Sequence, residues 1–119
     1  MNMEKLTDRS QGFLQNAQSL ALRNNNQFIT PAHLLKVMLD DKNGVASNLL
    51  SQAGANPDLL REKVAEELNK LPQVEGQNIE VTCSKDFLKM LDTAEQIAEK
   101  AKDSYVTVER LLQAVLMQK

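Results

Sequence analysis

The chain contains an internal repeat. A segment near its start recurs, without gaps, 77 positions later. The coinciding residues are apolar positions at helical spacing plus one threonine: Leu14 and Leu91, Ala17 and Ala94, Ala21 and Ala98, Thr30 and Thr107, Leu34 and Leu111, Leu35 and Leu112, and Leu39 and Leu116. Two unrelated amphipathic helix pairs can share a leucine stripe, but agreement of the threonine and of the spacing favours two copies of one unit. The repeat predicts a duplicated helical fold with pseudo-two-fold symmetry.

Start and stop signals divide the chain into six helices. Threonine or serine precedes four of them, at Thr7, Thr30, Ser84 and Thr107, where the hydroxyl can accept an N–H of the first turn. The remaining two are predicted over about 45–52 and from residue 57 to before residue 72. Residues 79–82 alternate like a strand, but no partner strand is evident, so residues 71–83 are expected to form an extended loop. The expected fold class is all-α.

At 119 residues the chain is long enough for a single domain. It divides into repeat one at about 7–70, the loop at 71–83 and repeat two at 84–119. The third and fourth helices have no counterpart in this sequence, because the 77-residue offset would place their counterparts near positions 122–146. We therefore expect the second repeat to be truncated at its C-terminus. Leu112 and Val115 should then be more exposed than their counterparts Leu35 and Met38.

Composition excludes several classes of function. The 14 basic and 16 acidic residues are interspersed and give a net charge of −2, without the basic stripe that nucleic-acid binding requires. Apolar runs are too short for a membrane span or a signal peptide, so we expect a cytoplasmic protein with no membrane partner. One histidine and one cysteine cannot supply a zinc site. No phosphate-binding loop is present, and no nucleophile, base and orienting group fall at usable spacing, so we expect no catalytic residues, metal or cofactor in this chain.

Two motifs carry a resemblance to a known family. Residues 27–35 read QFITPAHLL, and residues 71–76 read LPQVEG. Together with the duplication they resemble the Clp N-terminal repeat domain over essentially the whole chain. Within that family, Leu6-Thr7 and residues 16–21 (NAQSLA) are most similar to the ClpB disaggregases.

The resemblance implies a function that the periodicity does not. A ClpB-like N-domain engages unfolded or aggregated polypeptides and passes them to a downstream AAA+ motor. The whole protein is then expected to be an ATPase that uses ATP, forms a homo-hexamer through its motor domains and works with a DnaK-type chaperone system. Two alternatives stay open: the adaptor-docking N-domain of a protease-associated Clp ATPase, and a free-standing helical adaptor protein.

The resemblance also implies a polar binding site. Thr7, Asp103 and Glu109 match positions that the ClpB family uses to engage substrate. Each residue also has an ordinary structural role, Thr7 as a helix cap, Asp103 as a turn residue and Glu109 as a first-turn acid favoured by the helix dipole. Repeat one carries Asn26 and Ala32 in place of the two acids, and this break in the repeat's symmetry favours function.

An apolar groove is the second candidate site. Met90 and Ile97 lie beside the core stripe of the fifth helix, where Thr93 and Arg110 interrupt the apolar surface. They are candidate substrate contacts, with a place in the core as the alternative. His33 is expected at the helix surface or partly buried.

Overall fold

The computed structural model describes residues 3–42, 44–75 and 80–117. Its six helices are α1 (Asp8–Arg23), α2 (Pro31–Leu39), α3 (Val45–Gln52), α4 (Pro57–Asn69), α5 (Lys85–Lys100) and α6 (Val108–Met117). A 3₁₀ turn at Met3–Lys5 precedes α1, and two short strands are β1 (Phe28–Ile29) and β2 (Thr82–Cys83). The predicted all-α class is confirmed. Helix α2 has Asp40 as its C-cap.

The duplication extends to the backbone. Helices α1 and α5 begin and end 77 residues apart, and α2 and α6 begin 77 residues apart. After the first helix of each pair, Asn25 and Lys102 both adopt the left-handed conformation, with φ of 58° and 61°. Because an L-residue rarely occupies this region, its occurrence at equivalent positions indicates that both repeats end their first helix in the same way.

The loop prediction is wrong at its end, because Thr82 and Cys83 form a strand. They pair in parallel with Phe28 and Ile29 respectively, which lie 54 residues earlier in the sequence. Local sequence could not reveal this partner, since it belongs to the other repeat. Gly76 and Ile79 lie outside the described residues.

A second bridge completes the exchange between repeats. Leu6 pairs in parallel with Val106, and these residues are the repeat equivalents of Cys83 and Ile29. The segment that precedes the first helix of each repeat therefore pairs with the strand position of the other repeat. The two repeats are joined by backbone hydrogen bonds as well as by their shared core.

The core lies where the two helix pairs meet. Helix α2 packs against α1, α3, α4 and α6, and α6 also packs against α3 and α5. The largest fully buried apolar side chains come from both repeats: Leu34, Met38, Leu39, Met90, Leu111 and Val106. Burial of such side chains is the main favourable contribution to folding.

Exposure of α6 differs from the expectation. Leu112 is 4% exposed, less than the 8% of Leu35, so this prediction is wrong. Val115 at 3% barely exceeds Met38 at 0%. Helix α3 packs against α6 as well as α2, which accounts for the shielding of the second helix pair. The two repeats differ clearly in solvent exposure one residue after Val115, where Leu116 is 44% exposed and its counterpart Leu39 only 1%.

His33 is fully buried, contrary to the expected surface or partly buried position. Its Nδ1 accepts the backbone N–H of Thr30 at 2.9 Å, so the ring proton resides on Nε2, which donates to Asn26 Oδ1 at 2.9 Å. The Asn26 amide in turn donates to the carbonyl of Pro72 at 3.1 Å. Burial lowers the pKa of His33 from 6.5 to about 4 and keeps the ring neutral near pH 7.

Candidate functional site

Thr7 joins the two distant segments of the predicted site. Its backbone N–H donates to the carbonyl of Val106 at 3.2 Å, and Val106 N–H donates to the Lys5 carbonyl at 2.7 Å. Val106 lies three residues after Asp103 and three before Glu109. The strand exchange between the repeats therefore brings the start of α1 to the connection between α5 and α6.

The Thr7 side chain is the N-cap of α1. Its Oγ1 accepts the backbone N–H of Ser10 at 3.1 Å, which satisfies one of the donors left free at a helix start. The residue remains partly exposed. The expected capping role is confirmed, and it leaves part of the side chain open to a ligand.

Ser10 is a residue of this site that sequence reasoning missed. It is fully buried, and its hydroxyl donates to the Val106 carbonyl at 3.0 Å. The Thr7 hydroxyl donates to Ser10 Oγ at 2.9 Å. The available signal was the repeat itself, because Ser10 falls on the buried Phe87 and is thus a polar residue at a core position.

Asp103 is already engaged. Arg110 Nε donates to Asp103 Oδ2 at 2.8 Å, while Arg110 Nη1 donates to Gln113 Oε1 at 2.9 Å. The hydrogen bond to Asp103 raises the pKa of Arg110 above its ordinary value. Both partners of the ion pair are partly exposed, with side-chain exposures of 31% for Asp103 and 25% for Arg110. Arg110 thus offsets the charge of Asp103 rather than only interrupting an apolar surface.

This ion pair has a neutral equivalent in repeat one. Asn26 and His33 occupy the positions of Asp103 and Arg110, and they too are joined by a side-chain hydrogen bond, 2.9 Å long. The neutral pair is buried in repeat one, whereas the charged pair in repeat two is partly exposed. The equivalent contact is therefore buried in one repeat and accessible to solvent in the other.

Glu109 is exposed in the first turn of α6. A carboxylate there is favoured by the positive end of the helix. Ile97 on α5 is partly buried against the core, and the turn that follows it is closed by a hydrogen bond from Asp103 N–H to the Ala98 carbonyl at 2.9 Å. Glu109 and Ile97 therefore remain candidate contacts.

Met90 does not belong to this surface. It is 0% exposed and packs in the core, as does its repeat equivalent Phe13. Its prediction as a groove residue is wrong for this structure, because a side chain without accessible area cannot contact a ligand. The candidate surface is accordingly defined by Thr7, Ile97, Asp103 and Glu109, and is called the α1–α6 surface below.

A separate apolar groove of about 480 Å³ lies between α2, α4 and α6. Its lining includes Ala32, Leu35, Val64 and Val115, and contains no residue of the α1–α6 surface. Within the described residues, no group of three or more His, Cys, Asp and Glu side chains is placed to hold a metal ion. Cys83 is exposed, but neighbouring protein atoms desolvate its thiol enough to raise its pKa, which disfavours the thiolate. None of the described helices combines the length and apolar character needed to cross a membrane.

Comparison with known proteins decides the family. The Clp repeat (R) N-terminal domain family matches residues 5–119. The chain belongs to the Clp N-terminal domain family. This Clp N-domain is 46% identical over 119 residues to the chaperone protein ClpB of Mesorhizobium japonicum. The match covers the whole chain and 14% of that ClpB, so the chain spans about one seventh of the length of such relatives.

Solved structures share the fold. The Hsp104 N-terminal domain from Candida albicans superposes with a TM-score of 0.86 at 25% identity, over 96% of this Clp N-domain and 75% of that chain. The ClpV N-domain in complex with a VipB peptide has a TM-score of 0.79 at 21% identity, over 97% and 69% of the two chains. The resemblance to the Clp N-terminal domain, and to ClpB within it, is confirmed.

Proposed function

We propose that this Clp N-domain binds segments of unfolded or aggregated polypeptide through the α1–α6 surface and passes them to a downstream AAA+ motor. The observation that carries the proposal is the hydrogen bond between Thr7 and Val106, which places the start of α1 beside the segment that bears Asp103 and Glu109. Thr7 thus adjoins the same connection between α5 and α6 as Asp103 and Glu109, although it is distant from them in the sequence.

The character of the surface supports weak and reversible binding. Ile97 is a partly exposed apolar residue of this surface, and Thr7 and Glu109 are polar residues of it that solvent also reaches. Shallow apolar contact with a polar rim suits a module that must release its ligand to a motor. The ClpV N-domain that shares this fold was solved with a VipB peptide, which supports peptide binding as a use of the fold.

The activity of the whole protein is part of the same proposal. ATP would be bound and hydrolysed by motor modules elsewhere in the protein, of which this chain represents about one seventh by comparison with ClpB relatives. Assembly as a homo-hexamer and cooperation with a DnaK-type system would likewise belong to the whole cytoplasmic protein.

Substitution of the two acids tests the proposal. We expect the double variant Asp103→Ala with Glu109→Ala to bind fluorescently labelled casein at least about threefold more weakly, since several contacts of modest strength are removed together. A matched control is Asp86→Ala, which removes an acid from the first turn of α5 instead. Unchanged casein binding by the double variant, with unchanged helical circular dichroism, would reduce the two acids to turn and cap residues.

A further inference from the structure

The hydroxyl groups of Thr7 and Ser10 form a chain with a fixed direction. A carbonyl oxygen can only accept, so the single hydroxyl proton of Ser10 is committed to Val106 O at 3.0 Å. Ser10 Oγ must then act as acceptor in its 2.9 Å contact with Thr7 Oγ1. The proton of Thr7 therefore points inward. Because Ser10 and Val106 are both buried, water does not compete for the hydrogen bond between them.

The consequence concerns what Thr7 can offer to a ligand. Its Oγ1 accepts the Ser10 N–H and gives its own proton to Ser10, which leaves one lone pair toward solvent. The carboxylates of Glu109 and Asp103 are also acceptors. Arg110 directs its Nε–H to Asp103 and one Nη1–H to Gln113, so neighbouring side chains use part of the donor capacity of its guanidinium.

From this geometry we infer that Ser10 is a positioning residue that makes Thr7 a hydrogen-bond acceptor only. The inference rests on the proposed function and deepens it. The α1–α6 surface then selects polypeptide segments that present donors, namely backbone N–H groups and lysine or arginine side chains beside apolar residues. Thr7 offers no proton to the carboxylates of segments rich in glutamate and aspartate.

Repeat two provides an internal comparison. Ser84 caps α5 as Thr7 caps α1, and its Oγ accepts the Phe87 N–H at 3.1 Å. Phe87 takes the place of Ser10, and among the described residues the Ser84 hydroxyl has no acceptor for its proton. The directional chain is thus specific to repeat one, where the candidate surface lies, and is not required for helix capping.

A pair of peptides tests the inference. Both carry the same apolar centre and a fluorescein label, one flanked by lysines and the other by glutamates, and binding is measured by fluorescence anisotropy. We expect the wild-type protein to bind the lysine peptide about fivefold more tightly. In Ser10→Ala the Thr7 hydroxyl can turn its proton outward and donate to a carboxylate. The ratio of the dissociation constants of the two peptides should then fall by about threefold.

A double-mutant cycle separates this effect from general destabilisation. In a Thr7→Val background the hydroxyl is absent, so Ser10→Ala should leave the peptide preference unchanged. The control Ser84→Val removes the equivalent cap hydroxyl and should also leave the preference unchanged. Three results would overturn the inference while the proposed function stands. The wild type could bind both peptides equally, Ser10→Ala could leave the affinity ratio of the two peptides unchanged, or Ser10→Ala could lower that ratio by the same factor in the Thr7→Val background. If the wild type binds neither peptide, both fail.

Discussion

At the scale of single residues, comparison of equivalent positions separates structure from candidate function. Thr7 and Ser84 cap equivalent helices, but only Thr7 has a buried serine behind it. Asn26 and His33 form a buried neutral pair where repeat two carries the partly exposed Asp103–Arg110 ion pair. Where a polar residue differs in type from the residue at the equivalent position of the other repeat, the difference calls for a separate physical explanation. In repeat one that explanation is burial, and in repeat two it is exposure to solvent.

The neutral state of His33 makes stability depend on pH. The pKa is 6.5 in the unfolded chain and about 4 in the folded one, so the unfolded chain takes up the proton first as the pH falls. The contribution of His33 is fully present above pH 6.5 and decreases as the pH falls toward 4, with a loss of about 3 kcal/mol in the free energy of unfolding. Urea denaturation at several pH values measures this loss. His33→Gln has no titrating ring, so it should lack this part of the slope, and a variant with the same slope as the wild type would contradict the assignment.

At the scale of elements, each repeat ends its first helix with a left-handed residue. Lysine at φ 61° carries a steric cost that asparagine at φ 58° largely avoids. Lys102→Gly is expected to raise the free energy of unfolding by about 0.5 kcal/mol, because relief of strain outweighs the greater freedom of glycine in the unfolded chain.

Asn25→Gly is the matched control and should change the stability little. Thermal denaturation of the two variants compares the sites directly. A Lys102→Gly variant that is less stable than the wild type would show that the conformation imposes no strain.

The sequence predicts those parts of the fold that depend on residues close together in the chain. Caps and apolar periodicity act within one helix, so the starts of α1, α2, α4, α5 and α6 were predictable. Pairing of Cys83 with Ile29, and of Leu6 with Val106, depends on the way the repeats exchange segments and leaves no local pattern. Burial of Met90 and Leu112 likewise depends on which helices cover them. In the site, residue types were available from family resemblance, but the role of Ser10 required the contact between Thr7 and Val106.

At the scale of the whole molecule, the exchanged segments connect stability to the candidate surface. Leu6 is 2% exposed and sits in the bridge that carries Thr7 to Val106, whereas its equivalent Cys83 is exposed. A substitution that destabilises the pairing of Leu6 with Val106 should therefore alter the α1–α6 surface as well as the core.

Truncation of Leu6 tests this connection. Leu6→Ala should lower the free energy of unfolding by about 3 kcal/mol, because it removes a large apolar side chain from a closed site. Cys83→Ala, at the equivalent bridge, should cost about 0.5 kcal/mol. Chemical denaturation measures both, and equal costs would mean that the two bridges are buried to the same extent.

We propose that unfolded polypeptide binds where α1 meets the connection between α5 and α6. The most direct test of this proposal is a map of backbone amide chemical-shift changes, recorded by two-dimensional NMR while unlabelled casein is added to the ¹⁵N-labelled protein. We expect the largest changes around Thr7, Ile97, Val106 and Glu109. Little change is expected in the groove between α2, α4 and α6, at Ala32, Leu35 and Val64. Changes concentrated in that groove, or an unaltered spectrum at saturating casein, would contradict it.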